Sequence, residues 1–393
     1  MLKRYDQIDS LRGIAVMLVM TSHISLVTAI PLLSSLFSFY FPLNMLFQGD
    51  SAVNCFFILS GFVLYLPYCY GIQSTYGIFL AKRFFRVYIP YLIAIVLSIA
   101  SCMLFSKEGI NELSGWFNNS WTEPVTVKNV LNHVLVIGNF NSNIFNNVIW
   151  YIVQDIRISI IFPIIAFIIM RINWKISLLF GLCLSLIGGL NQIFHWQLNA
   201  GYHTSIFYTF QYMNMFIIGG IIAKHLNDIR KTYENLTLAK KIIILLFAFI
   251  SANYNFIASM IMNKIGLYFY GDLASNYCVA LGSVTIIVFA LFSRRVHRFL
   301  FNKPLLFLGK ISYSLFLYHL PILYSLIYCF YDVISVWVIY LLTLLLSIIM
   351  ATIAWYLFER PSIRYGKYVI SKIEFFAKKR LATKGNKNID HVA

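Results

Sequence analysis

Ten apolar stretches, each long enough to cross a bilayer as a helix of about 20 residues, leave this chain little else to fold into. They fall at 13–36, 52–70, 87–106, 148–170, 175–192, 204–223, 241–261, 273–292, 311–330 and 334–357. In hydrocarbon every backbone N–H and C=O needs a protein partner, and runs of this length satisfy that as helices. The expected fold is all-α, a polytopic transmembrane bundle of about ten helices over 1–365, followed by a basic tail over 366–393. Composition points the same way: 11% of the residues are charged, against about 25% in soluble domains. The 60% apolar content excludes a disordered chain.

A net charge of +17 suggests nucleic acid only until the charges are placed. Of 31 Lys and Arg, 27 fall at the N-terminus, in alternate connections and in the tail. Lys107, Lys128 and Lys264 fall on the opposite side, and Arg157 lies within a span. This is the positive-inside pattern, with both termini cytoplasmic, and it argues against a nucleic-acid partner. Lys3 and Arg4 precede an apolar run as in a signal peptide, but Asp6, Asp9 and Arg12 interrupt it, so a retained first helix is expected. The six cysteines form no C-x-x-C pair and are expected to pack in the core; no metal site is indicated.

An ionised side chain at the bilayer centre costs about 2.5–3.5 kcal/mol, which singles out His23, Asp155, Arg157 and His319. His23 follows Arg12 by eleven residues, about 16 Å and close to whole turns, so both face one way. Arg12 is then at the cytosolic rim and His23 near mid-depth. Such an imidazole either packs as a hydrogen-bonded group or moves a proton near neutral pH. Asp155, at similar depth, either orients a histidine or closes a buried ion pair. It stands two residues from Arg157, so each must find its partner on another helix. His319 either lines the same cavity or makes a packing bond. Before the third span, Arg83 and Arg86 stand at i,i+3 on the inner face, where they anchor topology or grip a phosphate-rich ligand.

Together these pieces resemble the acyltransferase 3 family of bacterial membrane acyltransferases, over roughly 5–365. The resemblance rests on Ile8-Asp9-Ser10-Leu11-Arg12-Gly13-Ile14-Ala15 with His23, and on Phe56-Phe57-Ile58-Leu59-Ser60-Gly61-Phe62. It continues with Arg83-x-x-Arg86 before Tyr88-Ile89-Pro90, and with Trp150, Asp155 and Phe162-Pro163. Ile311-Ser312-Tyr313-Ser314-Leu315-Phe316-Leu317-Tyr318-His319-x-Pro321 and Glu359-Arg360-Pro361 complete it. Two positions depart: Ala52-Val53-Asn54 stands where the family usually has Gly-Val-Asp, and Asp155 where it usually has Glu.

The resemblance implies transfer of an acyl group, usually acetyl, from cytosolic acyl-coenzyme A to a hydroxyl of a glycan or lipid-linked sugar outside. The location implied is a bacterial inner or plasma membrane. His23 would be the catalytic histidine, either a general base or a carrier of the acyl group, with Asp155 and Arg12 as candidate partners, and Arg83 and Arg86 would hold coenzyme A. Ser60, Trp150, Arg157, Tyr313, His319 and Glu359 are further candidates for the cavity. Trp116, Trp121, His195, Trp196, Tyr202 and His203 in outer loops suit either an interfacial belt or a sugar-stacking surface. Two alternatives remain at this stage: a transporter, although no internal repeat is visible, or a sensor built on an inactive acyltransferase-like core.

Overall fold

The computed structural model describes residues 5–28, 49–72, 74–107 and 109–389. Among them there is no strand, and nine helices are long and apolar enough to cross a membrane. A tenth is added if the bent pair Leu226–Asn235 and Leu238–Asn253 counts as one span. The helices used below are α1 (Asp6–Val27), α2 (Gly49–Cys69), α3 (Tyr76–Phe105), α4 (Ile149–Arg171), α5 (Trp174–Phe194) and α6 (Ile206–Lys224). They continue with α7 (Leu238–Asn253), α8 (Gly271–Phe292), α9 (Lys303–Phe330), α10 (Val336–Ala354) and α11 (Arg360–Ile389).

Three boundaries differ from the sequence expectation in ways that matter. The first helix begins at Asp6 and ends at Val27, so His23 lies four residues, about 6 Å, from its C-terminal end and not at its middle. The remainder of the expected first span, from 29, lies outside the described residues. The third helix starts at Tyr76. Arg83 and Arg86 are therefore seven and ten residues inside it, about 10 and 15 Å from its inner end, not on an inner loop. The last helix runs through 365 without a break. Of the cysteines, all free, Cys102 is buried, whereas Cys69, Cys183 and Cys329 are exposed instead of packed.

Lipid supplies no hydrophobic drive between helices, so close packing depends on small residues. A Cβ on Gly61 would collide with the Phe216 backbone, and one on Gly219 with the Ile58 carbonyl, which joins α2 closely to α6. A second crossing joins α1 to α9. A Cβ on Gly13 would come within 2.7 Å of the Gly309 nitrogen, and one on Gly309 would strike the Asp9 carbonyl. Both helices run in the same direction, so residues equally far beyond this crossing stand at equal height.

The loop 107–147 folds back onto the bundle. Ser114 N–H donates to Val27 O at 2.9 Å, Ser98 Oγ to Phe145 O at 2.6 Å and Asn146 Nδ2 to Leu317 O at 2.8 Å. Labelling intact cells with an impermeant thiol reagent should mark Lys128→Cys and spare Ser371→Cys, both positions being exposed. The reverse pattern would invert the assigned orientation.

Candidate active site

Two helices of the bundle widen into a π-turn just before a proline. In α3 the turn spans Phe84–Tyr88 and precedes Pro90; between α10 and α11 it spans Trp355–Glu359 and precedes Pro361. Proline has no N–H to give and its ring crowds the carbonyl four residues back, and a π-turn absorbs both problems. Each turn presents one charged residue, Arg86 and Glu359, to the same cavity of about 840 Å³. Glu359 accepts from Ser314 Oγ at 2.6 Å, and Tyr313 Oη donates to Val87 O at 2.8 Å, which ties both turns to α9.

Arg12, Ser60, Arg83, Arg86, Asp155, Tyr313 and Glu359 all line this cavity, so the structure brings most of the expected residues together. Among the described residues, eight cations border it against the three carboxylates Asp9, Asp155 and Glu359, an excess of five positive charges. The other cations are Lys82, Lys310, Arg360, Arg364 and Lys367, toward the inner mouth. At its deep end the Phe56, Tyr151 and Phe316 rings meet, with centroids 5.3–5.9 Å apart. Phe316 also meets His319 beyond them, at 6.2 Å.

Asp155 is not the partner of a histidine. Its Oδ2 pairs with Arg83 Nη2, because α3 carries Arg83 into the bundle at the level of Asp155 on α4. The buried-ion-pair alternative is the one the structure takes. His23 finds its partner on α9: its Nδ1 lies 2.9 Å from His319 Nε2. The two rings lie nearly coplanar and edge to edge, with centroids 5.2 Å apart and planes 10° apart. The Gly13–Gly309 crossing explains the meeting, since each histidine follows its glycine by ten residues, about 15 Å farther out.

The hydrogen-bond chain fixes the tautomers. His319 Nδ1 lies 3.0 Å from Leu315 O. A carbonyl only accepts, so His319 Nδ1 carries hydrogen and, in the neutral ring, Nε2 carries a lone pair. His23 Nδ1 must then be the donor, which leaves the lone pair of neutral His23 on Nε2. Trp116, from the outer loop, stacks on the His23 ring at 5.3 Å and 16°. The arrangement is an oriented base with an aromatic wall on the outer side and a basic cavity on the inner side.

Trp150 and Arg157 are placed elsewhere. Trp150 packs against Phe57, Tyr212 and His203. Arg157 has loop carbonyls as its charge-bearing contacts, Thr204 O at 2.9 Å and Gly138 O at 2.7 Å, and it staples two outer connections together. In one of them His203 lies between Tyr202 and Tyr208, each 4.0 Å away, and burial pushes its imidazole down to about 3. Asn54 donates to Asn276 Oδ1 at 2.9 Å and to Asp50 O at 3.1 Å, a cross-helix bond rather than a base. Sequence reasoning missed Tyr151, which stands at i,i+4 to Asp155 and was within reach of helix spacing. It offered Trp116 as an outer-loop aromatic for an interfacial belt or a sugar-stacking surface, and nothing in the sequence marks it as the neighbour of His23.

A family model described as an acyltransferase domain matches residues 5–358. No curated protein and no solved structure matches the chain.

Proposed function

The chain belongs to that acyltransferase family, and from this premise we propose that it moves an acyl group, acetyl foremost, from cytosolic acyl-coenzyme A to a hydroxyl of a glycan or lipid-linked sugar on the far side of the membrane. The observation that carries the proposal is the oriented His23–His319 pair between a basic inner cavity and the outer loop.

Coenzyme A is an anion with a long neutral arm. Arg12 and Arg86 hold its diphosphate, while Arg83 is committed to Asp155. From Arg12 to His23 is about 16 Å along α1, a distance for the pantetheine arm to bridge, with the Phe56, Tyr151 and Phe316 rings parting to admit it. The acceptor hydroxyl approaches from the Trp116 side. Its oxygen attacks the thioester carbonyl as His23 Nε2 takes its proton. The tetrahedral adduct collapses, the C–S bond breaks, and the thiolate leaves with the proton that His23 returns. Through its Nε2 lone pair His319 holds His23 in the competent tautomer and stabilises the imidazolium that forms.

Membranes containing the protein and acetyl-labelled acetyl-coenzyme A test this. Label is expected to pass into glycan or lipid-linked sugar. Arg86→Ala should raise the donor KM by about 10- to 150-fold, the loss of a charge-assisted contact, with kcat little changed. Label that never leaves the cofactor in the presence of wild-type protein overturns the proposal.

A further inference from the structure

The cations around the inner cavity fall into two groups by depth. Arg12 and Arg86 lie near the buried Glu359. Arg360, Arg364 and Lys367 follow Glu359 on α11 at spacings of four and three residues, which puts them in one row. Two contacts from the opposite face dock that helix. Ser362 Oγ donates to Phe85 O at 2.5 Å, and a Cβ on Gly366 would come within 2.5 Å of the Phe85 Cβ. The helix is thereby docked on the turn that carries Arg86, with the row along the cavity mouth. Lys367 lies about 12 Å beyond Glu359 toward the cytosol. Among the described residues neither Arg364 nor Lys367 has a carboxylate within ion-pair distance.

We infer that Arg360, Arg364 and Lys367 form a second anion subsite, which takes the 3′-phosphate of the donor's nucleotide while the deeper arginines take its diphosphate. This rests on the acyl-coenzyme A donor proposed above. Positive-inside bias places basic residues at this membrane face, but it does not align three of them along a cavity or pin their helix against the turn that carries Arg86. A phosphomonoester brings about −1.5 to −2 charges near neutral pH. The excess of five positive charges around the cavity accommodates it together with the diphosphate.

An anionic lipid headgroup offers the same phosphate chemistry, so the test separates the two. The full chain, in nanodiscs of phosphatidylcholine and in nanodiscs containing anionic lipid, is titrated with coenzyme A and with 3′-dephospho-coenzyme A. Wild-type protein should bind the dephospho form about tenfold more weakly in both lipids, the scale of one charge-assisted phosphate contact. In R364A/K367A that ratio should fall toward one, and Lys367→Glu, a single change at an exposed position, should lower it as well. Equal affinities in the wild type, or a ratio that the variants retain, overturn the subsite. So does a ratio that disappears when anionic lipid is present, because the row then holds headgroups. A wild-type protein that binds neither nucleotide removes the donor assignment itself, which is a different result from losing the discrimination alone.

Discussion

His23→Ala is expected to lower acyl transfer by about 10²- to 10⁴-fold, the usual contribution of a positioned acid or base, while folded protein still accumulates in the membrane. Its neighbours support that expectation: the ring is held by His319 on one edge and by Trp116 across one face, so its loss opens a small gap without stranding a charge. His319→Phe should give a smaller loss, because His23 keeps its place but is free to adopt the other tautomer. The double variant should be little worse than His23→Ala alone, since residues that act as one unit are non-additive. Initial rates with labelled donor, normalised to purified protein, read this directly. Near-normal turnover by well-folded His23→Ala would remove the base from the mechanism.

Asp155→Asn is expected to act on stability before chemistry. Asp155 is buried and pairs with Arg83, and removing one member of a buried pair leaves an uncompensated charge at a cost of about 3–5 kcal/mol. Arg83 is 18% exposed, toward the cavity, so the lower end is appropriate, about 3 kcal/mol. Melting in detergent should fall accordingly, and Arg83→Met in the same chain should restore much of the loss by removing the stranded charge. If Asp155→Asn melts like the wild type and yet loses turnover, the carboxylate has a chemical role that the ion pair does not describe.

The ionisable residues that the structure gathers were legible from sequence because lipid makes such groups conspicuous. Their partnerships were not. Depth along a helix suggested Asp155 for His23, since both were placed at a similar level, but depth says nothing of which helix stands beside which. That choice is made by Gly13 and Gly309, whose contact is invisible until two distant segments are laid side by side. Arg83 and Arg86 looked like residues of an inner connection because hydropathy rises only after them. The helix in fact starts at Tyr76 and carries them inward, Arg83 to its pair with Asp155 and Arg86 to the neighbourhood of Glu359. The overall architecture needed none of this, since ten apolar runs separated by basic connections admit few other folds.

The crossing of the first and ninth helices has a consequence for how such a chain can change over time. Ten residues separate Gly13 from His23, and ten separate Gly309 from His319, so the two segments are matched rulers read from a common zero. Substitutions between the marks leave the reading alone. A single inserted or deleted residue turns everything beyond it by about 100° and shifts it about 1.5 Å along the axis, which takes one imidazole off the other. Matching insertions in both helices restore the height but turn both rings away from each other. These two segments can vary in letter but not in count.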